Sequence, residues 1–404
     1  MKKLIFCSKS ALLACVLLCG VSACVNDDEA SEPAASQTSQ SANNGDNNQV
    51  DRNTAGQVAI IVTVDEDGKA DGNHSFSKID DQSFYVDGIK YVIKDDGLAV
   101  TGFDKENANG SFCIISQLNY GGKEMKVTSI GDEAFLNYQK KSSQNGVDLI
   151  GPYNYIDELI IPESVVSIGQ KAFMGCHGLK VIKIPAGIKT ISDFTFWGCP
   201  DLTTVILPDG LVKIGIAAFA DCPSLASLVL PNSVTEIGTG ALKGCAALYS
   251  IHIPSSVEKI EQEVFWLCDA LSSITVDEDN TTYDSRENCN AIIETATNKL
   301  IYAISNSTIP NSVTWIGEAA YAGCPEMKTL TISSSVTKVE KNAFAACEQL
   351  EDIYCYAAEP PHCVSGCPFN RVLADNLTLH VPASAIESYK TDYWGLIKNV
   401  VPIE

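Results

Sequence analysis

Residues 179–199 read LKVIKIPAGIKTISDFTFWGC, and this pattern recurs along most of the chain. Ile182 and Ile184 lie two positions apart, so they face the same side of a short strand. Pro185 lacks a backbone donor and therefore ends that strand. A second short extended piece follows, and the last residues up to Cys199 are predicted to form a tight helical or 3₁₀ turn.

The pattern returns at intervals of 23 residues. A large apolar residue stands three positions before each repeated cysteine, and Ile or Val stands eight positions before it. The cysteines of this series are Cys176, Cys199, Cys222, Cys245, Cys268, Cys324 and Cys347. A fixed period of roughly 20 to 29 residues with stacked apolar positions is typical of a leucine-rich-repeat solenoid. The sequence therefore predicts a β-rich solenoid with two short strands and one helical or 3₁₀ turn in each repeat.

Breaks in the pattern and changes in composition divide the chain. Strand-like runs with turn signals at Asp87-Gly88 and Asp96-Gly97 predict a β-hairpin cap before the repeats. A capping box starting at Ser384 predicts a short helix in the C-terminal cap. The predicted division is a lipoprotein signal peptide at 1–23, a disordered tether at 24–57, the N-terminal β cap at 58–126, the repeat array at 127–354 with inserts at about 138–153 and 277–308, and the C-terminal cap at 355–404.

The N-terminus carries the signals for location. A basic start and an apolar run lead to Val21-Ser22-Ala23-Cys24, which resembles a bacterial lipobox with Cys24 as the lipid attachment site. An ordinary secretory cleavage site is the alternative. The acidic residues 26–29 resemble the export signal of Bacteroidetes surface lipoproteins, or they simply begin a solvated linker. We therefore expect a lipid-anchored outer-membrane protein exposed on the cell surface, held by a polar tether that cannot bury enough apolar area to fold.

The bulk composition restricts the partners more than the function. The chain has 404 residues, a net charge of -22 and 45% hydrophobic residues, which is globular composition. Such an acidic surface argues against nucleic acid or anionic lipid headgroups as ligands. We therefore expect contact with a membrane only through the N-terminal lipid.

Two of the repeats carry a family resemblance. Residues 161–176 and 309–324 follow I-P-x-S-V-x-x-I-G-x-x-A-F-x-x-C, with Tyr321 at the Phe position of the second. This resembles the BspA-type leucine-rich repeat of Bacteroidetes surface proteins, and the likeness extends from about Phe84 to Glu404. The resemblance implies surface adhesion and protein binding.

The cysteines and histidines suggest little chemistry. Equivalent side chains on stacked repeats point in parallel, so the repeated cysteines are predicted to be core thiols and not disulfides. Cys355, Cys363 and Cys367 lie outside the series, and a disulfide between two of them is an alternative to free thiols in an oxidising compartment. The five histidines occur in no known catalytic motif. We therefore expect no enzyme activity, no metal and no cofactor.

The remaining candidates lie on the surface. In each repeat the third and fifth positions are predicted to point outward from the first strand. An apolar patch results at Ile160, Val181, Ile206 and Val229, which either binds a partner or packs under the N-terminal cap or the 138–153 insert. Trp315 and Tyr354 are further binding candidates, whereas Trp197 and Trp266 are binding aromatics or lids over the core.

The sequence favours a non-enzymatic surface lipoprotein that binds a host or bacterial macromolecule through its sheet face, with protein expected before glycan. The alternative is a carbohydrate-binding accessory lipoprotein of an outer-membrane glycan uptake system, for which Trp315 and Tyr354 would supply the aromatic platform.

Overall fold

The computed structural model describes residues 59–104, 110–143, 146–152, 156–324, 326–372 and 376–403, and across 138–152 it describes the backbone alone. The predicted signal peptide, Cys24 and the predicted tether lie outside these residues. No helix in the described ranges is long and apolar enough to cross a membrane.

The N-terminal region is a mixed sheet with the strand order β1-β7-β8-β5-β4-β3-β2. Its strands, together with the neighbouring β6, are β1 Ile61–Thr63, β2 Phe76–Lys78, β3 Ser83–Val86, β4 Ile89–Lys94, β5 Gly97–Phe103, β6 Gly110–Cys113, β7 Gln117–Tyr120 and β8 Lys123–Ile130. An antiparallel hairpin of β9 Tyr138–Ser143 and β10 Gly146–Pro152 follows within the first predicted insert.

The two predicted hairpin turns differ in outcome. The turn at Asp87-Gly88 is confirmed, because both residues have positive φ, at 49° and 76°, as a two-residue type I′ turn requires. The second turn lies one residue earlier than predicted, at Asp95-Asp96. Gly97 is already the first paired residue of β5, so it belongs to the strand and not to the loop.

Two parallel series of short strands run through the array. The first ladder contains β11 Ile156–Ile160, β13 Val181–Lys183, β15 Thr204–Ile206, β18 Ser250–Ile253, β20 Ser273–Val276, β25 Thr329–Ile332, β27 Asp352–Cys355, β29 Thr378–Val381 and β30 Asn399–Pro402. The second ladder contains β12 Ser167–Ile168, β14 Thr190–Ile191, β16 Lys213–Ile214, β17 Glu236–Ile237, β19 Lys259–Ile260, β24 Trp315–Ile316, β26 Lys338–Glu340 and β28 His362–Val364.

The N-terminal sheet leads directly into both ladders. β6 pairs in parallel with β11, and β8 pairs in parallel with β12. The aromatic stack of the core also begins there, since Phe135 stacks on Phe103 at 5.6 Å and on Phe173 at 5.5 Å between ring centroids. The N-terminal region therefore covers the apolar end of the array, as a solenoid requires.

The turn that closes each repeat was predicted to be helical or 3₁₀, and the structure forms neither kind of helix there. In the repeat of residues 179–199, Phe194 has a φ of 58° and Gly198 a φ of 67°. Two left-handed residues within one short segment prevent a helix from continuing. The segment instead forms successive tight turns, with Thr195 N–H donating to Ser192 O and Trp197 N–H donating to Phe194 O.

The second predicted insert continues the solenoid. It contains β21 Tyr283–Asp284, the 3₁₀ turn Arg286–Asn288, β22 Ala291–Glu294 and β23 Lys299–Ala303. β22 and β23 are antiparallel, and β23 then pairs in parallel with β24. The hairpin also joins two hydrophobic clusters, because Ile292 and Tyr302 pack into the first and Ile293 and Leu300 into the second.

The core is a column of stacked aromatic rings beside a column of thiols. Phe196 lies between Phe173 and Phe219, with centroid distances of 5.2 and 5.4 Å. Each repeated thiol donates to a carbonyl of the preceding repeat, as Cys222 Sγ does to Phe196 O at 3.1 Å. The thiols of Cys199, Cys245, Cys268 and Cys347 make the equivalent bond at 3.2 Å. The predicted core role of these cysteines therefore includes a hydrogen bond between repeats.

The C-terminal end is closed by aromatic residues and three 3₁₀ turns. Trp394 is fully buried, and its Nε1 donates to Pro361 O at 2.8 Å. The predicted capping box is wrong, because no side chain caps the first turn, which Pro382 precedes. The turns are Ala383–Ala385, Ser388–Lys390 and Asp392–Leu396.

Candidate protein-binding surface

The outward face of the first ladder carries the predicted apolar residues. In β13 and β15 exposure alternates, so Ile182 and Val205 are buried whereas the residues on either side of each point to solvent. Residues 225–230 form no strand, yet the same alternation holds there, with Leu228 and Leu230 buried around Val229. The period of two places a continuous series of outward positions on this face.

Three of the four patch residues are well exposed. Val181 is 52% exposed, Ile206 is 49% exposed and Val229 is 81% exposed. Ile160 is half-buried. We call Val181, Ile206 and Val229 the apolar strip. Packing beneath the N-terminal sheet would have buried these side chains, so the strip is a surface feature.

The strip runs diagonally from Val181 to Ile206 and then continues at the equivalent position of the next repeat, Val229. β13 and β15 pair with Val181 opposite Thr204 and with Lys183 opposite Ile206. Lys183 Nζ donates to Glu163 Oε1 at 2.8 Å, so this charge beside the strip is paired with a carboxylate. The strip is therefore an apolar surface flanked by an ion pair between Lys183 and Glu163.

Tyr249 extends this surface and was missed from the sequence. Its side chain is 55% exposed, and its N–H donates to Ala226 O in the repeat that contains Val229. It occupies the second position of its repeat, which the outward pattern of the third and fifth positions does not include. An aromatic residue in a slot that is polar or small elsewhere was the available signal.

Trp315 lies on the second ladder and does not join the strip. β24 has β23 on one side and β26 on the other, so Lys299 and Lys338 are its direct neighbours. Both ammonium groups lie 4.6 Å from the centroid of the indole ring. This is the geometry of two cation–π contacts, and it leaves little of the ring for a flat ligand.

Tyr354 lies on the first ladder, beyond the second insert, and one face of its ring is occupied. It stacks on His380, its partner on β29, at 4.1 Å between centroids and 9° between planes. His380 Nε2 in turn contacts Asp352 Oδ1 at 2.7 Å. The structure therefore separates the six predicted surface residues into the patch, an isolated Tyr354 and Trp315 on the other ladder.

The C-terminal cysteines occur as free thiols, and no disulfide joins them. Cys355 is buried, and its sulfur lies 3.1 Å from Tyr389 Oη. Cys363 is buried and Cys367 is half-buried. Since Cys355 already faces a hydroxyl in the core, the geometry does not favour the predicted alternative of a disulfide for this residue.

Three of the described histidines, His74, His252 and His380, make local side-chain contacts. His74 Nδ1 contacts Asp87 Oδ2 at 2.6 Å, and His252 Nδ1 contacts Thr275 Oγ1 at 3.0 Å. Within the described part of the chain, no group of three His, Cys, Asp or Glu side chains is arranged to hold a metal ion. No arrangement of a nucleophile with an oriented base emerges from these contacts.

The parallel ladders and inward apolar slots define a leucine-rich-repeat protein. Six copies of the BspA type leucine rich repeat region match the chain, at residues 152–272 and 280–359. The chain belongs to the BspA-type leucine-rich-repeat family through this region.

Similarity to one solved structure supports the fold, and a second is similar over much of its length. The pneumococcal vaccine antigen PcpA is 19% identical, with a TM-score of 0.53 over 78% of this chain and 84% of PcpA. A leucine rich cell surface protein from Faecalibacterium prausnitzii is 20% identical, with a TM-score of 0.44 over 80% of this chain and 96% of that protein. No curated protein matches the chain by sequence. At these identities the likeness to PcpA extends to the fold alone.

Proposed function

We propose that the protein is a non-enzymatic adhesion scaffold that binds a protein partner through the outward face of its first ladder. The observation that carries this proposal is the exposure of Val229, which is 81% accessible, with Ile206 pointing outward at the same position of the preceding repeat. Apolar side chains gain free energy when a partner removes them from water, at about 25 cal/mol per Å². Clustered exposed apolar residues often mark interaction sites.

The architecture supports this function. A solenoid presents an extended surface on which each repeat contributes one row of side chains. The first ladder alternates buried and exposed residues, so substitutions on its outward face change the surface without changing the core. Such a surface suits recognition of a protein better than chemistry on a small molecule, which requires an enclosed site.

The proposal includes display on the outside of the cell. The lipobox-like residues 21–24 and the acidic stretch that follows motivate it, with Cys24 as the lipid anchor and 24–57 as the tether. A tether of this length has a reach on the order of 30 Å if it is a flexible coil. The repeat surface would then be free to turn towards its partner.

Carbohydrate binding is the alternative, and the aromatic side chains give it little support. Sugar rings are commonly held on open aromatic faces, whereas Lys299 and Lys338 flank Trp315 and His380 covers one face of Tyr354. The two aromatics also lie on different ladders. A glycan platform built from both residues therefore has no geometric basis.

Binding to immobilised fibronectin, laminin and collagen, together with a glycan array, tests these two functions. We expect saturable binding to at least one of these proteins, which Trp315→Ala leaves unchanged and Val229→Asp weakens about tenfold or more. Glycan binding that disappears in Trp315→Ala, with no protein bound, would establish the alternative.

Protease treatment of intact cells tests the location. We expect the repeat region to be digested while a periplasmic marker protein remains intact. Full protection of the repeats on sealed cells, with digestion after lysis, would contradict surface display. Replacement of Cys24 by Ala should release the protein from the membrane fraction.

A further inference from the structure

The tight turns that close successive repeats stack along the array, and we call this stack the turn column. The second insert contributes a strand to the array but no turn to this column. In regular repeats the turn backbone bonds to the next turn, as Gly175 N–H does to Trp197 O. At the insert, β23 supplies a strand, and Ala303 N–H still donates to Ala320 O. After Ala303 the chain makes a different turn, in which Ser307 N–H donates to Ile304 O. Phe265 N–H therefore bonds the side-chain hydroxyl of Tyr302, at 2.9 Å, in place of a backbone carbonyl of a stacked turn.

The missing turn leaves a trough with a floor of small side chains. The next two repeats carry Ala322 and Ala345 where the two repeats before the insert carry Lys243 and Trp266, so the gap is not filled. The trough has a volume of about 460 Å³. Its lining includes Trp266, Tyr302, Arg371 and Glu263, together with four alanines that we call its floor, Ala319, Ala322, Ala345 and Ala346. This volume falls within the range of small-ligand pockets, roughly 300 to 1,000 Å³.

The wall formed by Trp266 is apolar and closed to stacking on one face. Lys243 Nζ lies 3.9 Å from the centroid of its ring. The edge of the indole presses on Gly323, where an added Cβ would come within 2.8 Å of the ring. A sugar ring therefore finds no fully open aromatic face here, whereas an apolar side chain can fill the space above the alanines.

Arg371 gives the trough an unpaired positive charge. Its side chain is exposed, and no ion pair to it exists among the described residues. The lysines around the insert differ in this respect, because Lys243 pairs with Glu263 at 3.1 Å and Lys341 pairs with Glu318 at 3.0 Å. On a chain with a net charge of -22, an unpaired guanidinium beside an apolar cavity is an available site for a carboxylate.

We propose that this trough binds a protein segment that presents a bulky apolar side chain next to an Asp or Glu. The apolar side chain lies over the alanine floor, and the carboxylate pairs with Arg371. The site is separate from the apolar strip, so it does not depend on the adhesion function proposed for that face.

Titration of the ¹⁵N-labelled protein with the peptide acetyl-Gly-Phe-Glu-Gly-amide tests the proposal. We expect a saturable shift of the Trp266 indole N–H signal, which the variant Trp266→Phe identifies. The peptide with Gln in place of Glu should bind about two- to fivefold more weakly, as expected for an exposed ion pair. In Arg371→Gln the two peptides should bind equally.

Ala345→Leu fills the trough and should abolish the shift, while the matched change Ala247→Leu, at a half-buried alanine outside the trough, should not. Ala322→Leu replaces Ala345→Leu if the latter does not fold. The proposal fails if the peptide with Glu gives no saturable shift or if filling the trough leaves binding intact. It also fails if a glucuronic acid disaccharide shifts the signal and the peptides do not. Val229→Asp should leave the titration unchanged, so the two proposals can fail separately.

Discussion

The repeats before the second insert, residues 156–276, and the region from the insert onward, residues 277–403, use the same pattern and present different surfaces. In the first region the phenylalanine rings stack at 5.2 and 5.4 Å, and an apolar strip lies on the first ladder. At the insert Phe265 meets Tyr302 edge-on, at 4.9 Å and 89°, and a trough opens beside it. Regular repeats therefore build the core, and the insert creates the concave site.

The largest expected effect concerns the aromatic stack. Phe196→Ala should lower the free energy of unfolding by about 3–5 kcal/mol, since it removes a fully buried ring. Phe265→Ala should cost about 1 kcal/mol less, because Phe265 packs against one aromatic ring of the described residues and Phe196 packs against two. Chemical denaturation of both variants measures the difference. An equal or larger loss for Phe265→Ala would show that the insert does not interrupt the stack energetically.

The second prediction compares the cost in stability of replacing two glycines in the tight turns that close the repeats. Gly323 has a φ of 74°, and an added Cβ would lie 2.8 Å from Trp266, so Gly323→Ala should cost about 2–4 kcal/mol. Gly240 has a φ of 61° with no neighbour closer than 3.7 Å, and Gly240→Ala should cost only about 1 kcal/mol. Thermal unfolding of the two variants checks this order. Equal costs would remove the argument that Trp266 is packed tightly against the turn beyond the insert.

The thiol column predicts a dependence on alkaline pH. Burial raises the pKa of the Cys222 thiol well above its ordinary value, whereas the unfolded thiol ionises near pH 8.5. The contribution of Cys222 to stability is therefore complete below that pH and is lost as the pH rises above it, by about 1.4 kcal/mol per pH unit.

Cys222→Ala removes the titrating group, so its destabilising effect should shrink by about 1 kcal/mol between pH 8.5 and 9.5, since the unfolded thiol is only half ionised at the lower pH. The change Val234→Ala, at another fully buried position, should cost the same at both pH values. Urea unfolding at the two pH values measures both variants. A cost of Cys222→Ala that is independent of pH would mean that the native thiol ionises as readily as the unfolded one.

The smallest effect is expected on the apolar strip. Val229→Asp should change the free energy of unfolding by less than about 0.5 kcal/mol, since the side chain is 81% exposed. Thermal unfolding of this variant provides the control for every binding experiment. A loss of several kcal/mol would show that Val229 belongs to the core of its repeat.

The sequence was sufficient to predict the fold of the regular repeats, but it was not sufficient to predict the structure at the points where the repeats are interrupted. Inward residues such as Ile182 and Ile214 follow from the 23-residue period, because equivalent positions stack. The surroundings of Trp315 could not be read in this way, since Lys299 becomes its neighbour through a hairpin whose register the repeat does not determine. The turns were predicted as helical or 3₁₀ because positive φ at non-glycine residues such as Phe194 cannot be recognised from the amino-acid composition.

The candidate trough was missed for a related reason. Its alanines were visible as small residues in turn slots, at Ala322 and Ala345. These alanines line a cavity because the insert supplies a strand to the array without a turn. The pairing of β23 with β24 reveals this arrangement. The exposed strip was predictable, because alternation along a short strand assigns each side chain to one face.

One comparison of affinities tests the central claim most directly. The dissociation constant for the bound matrix protein is measured for the unmodified chain, for Val229→Asp and for Thr331→Asp, which places the same charge at the equivalent exposed position beyond the insert. We predict a loss of about tenfold or more for Val229→Asp and less than about twofold for Thr331→Asp. Equal losses in both variants, or no loss in either, would contradict binding through the apolar strip.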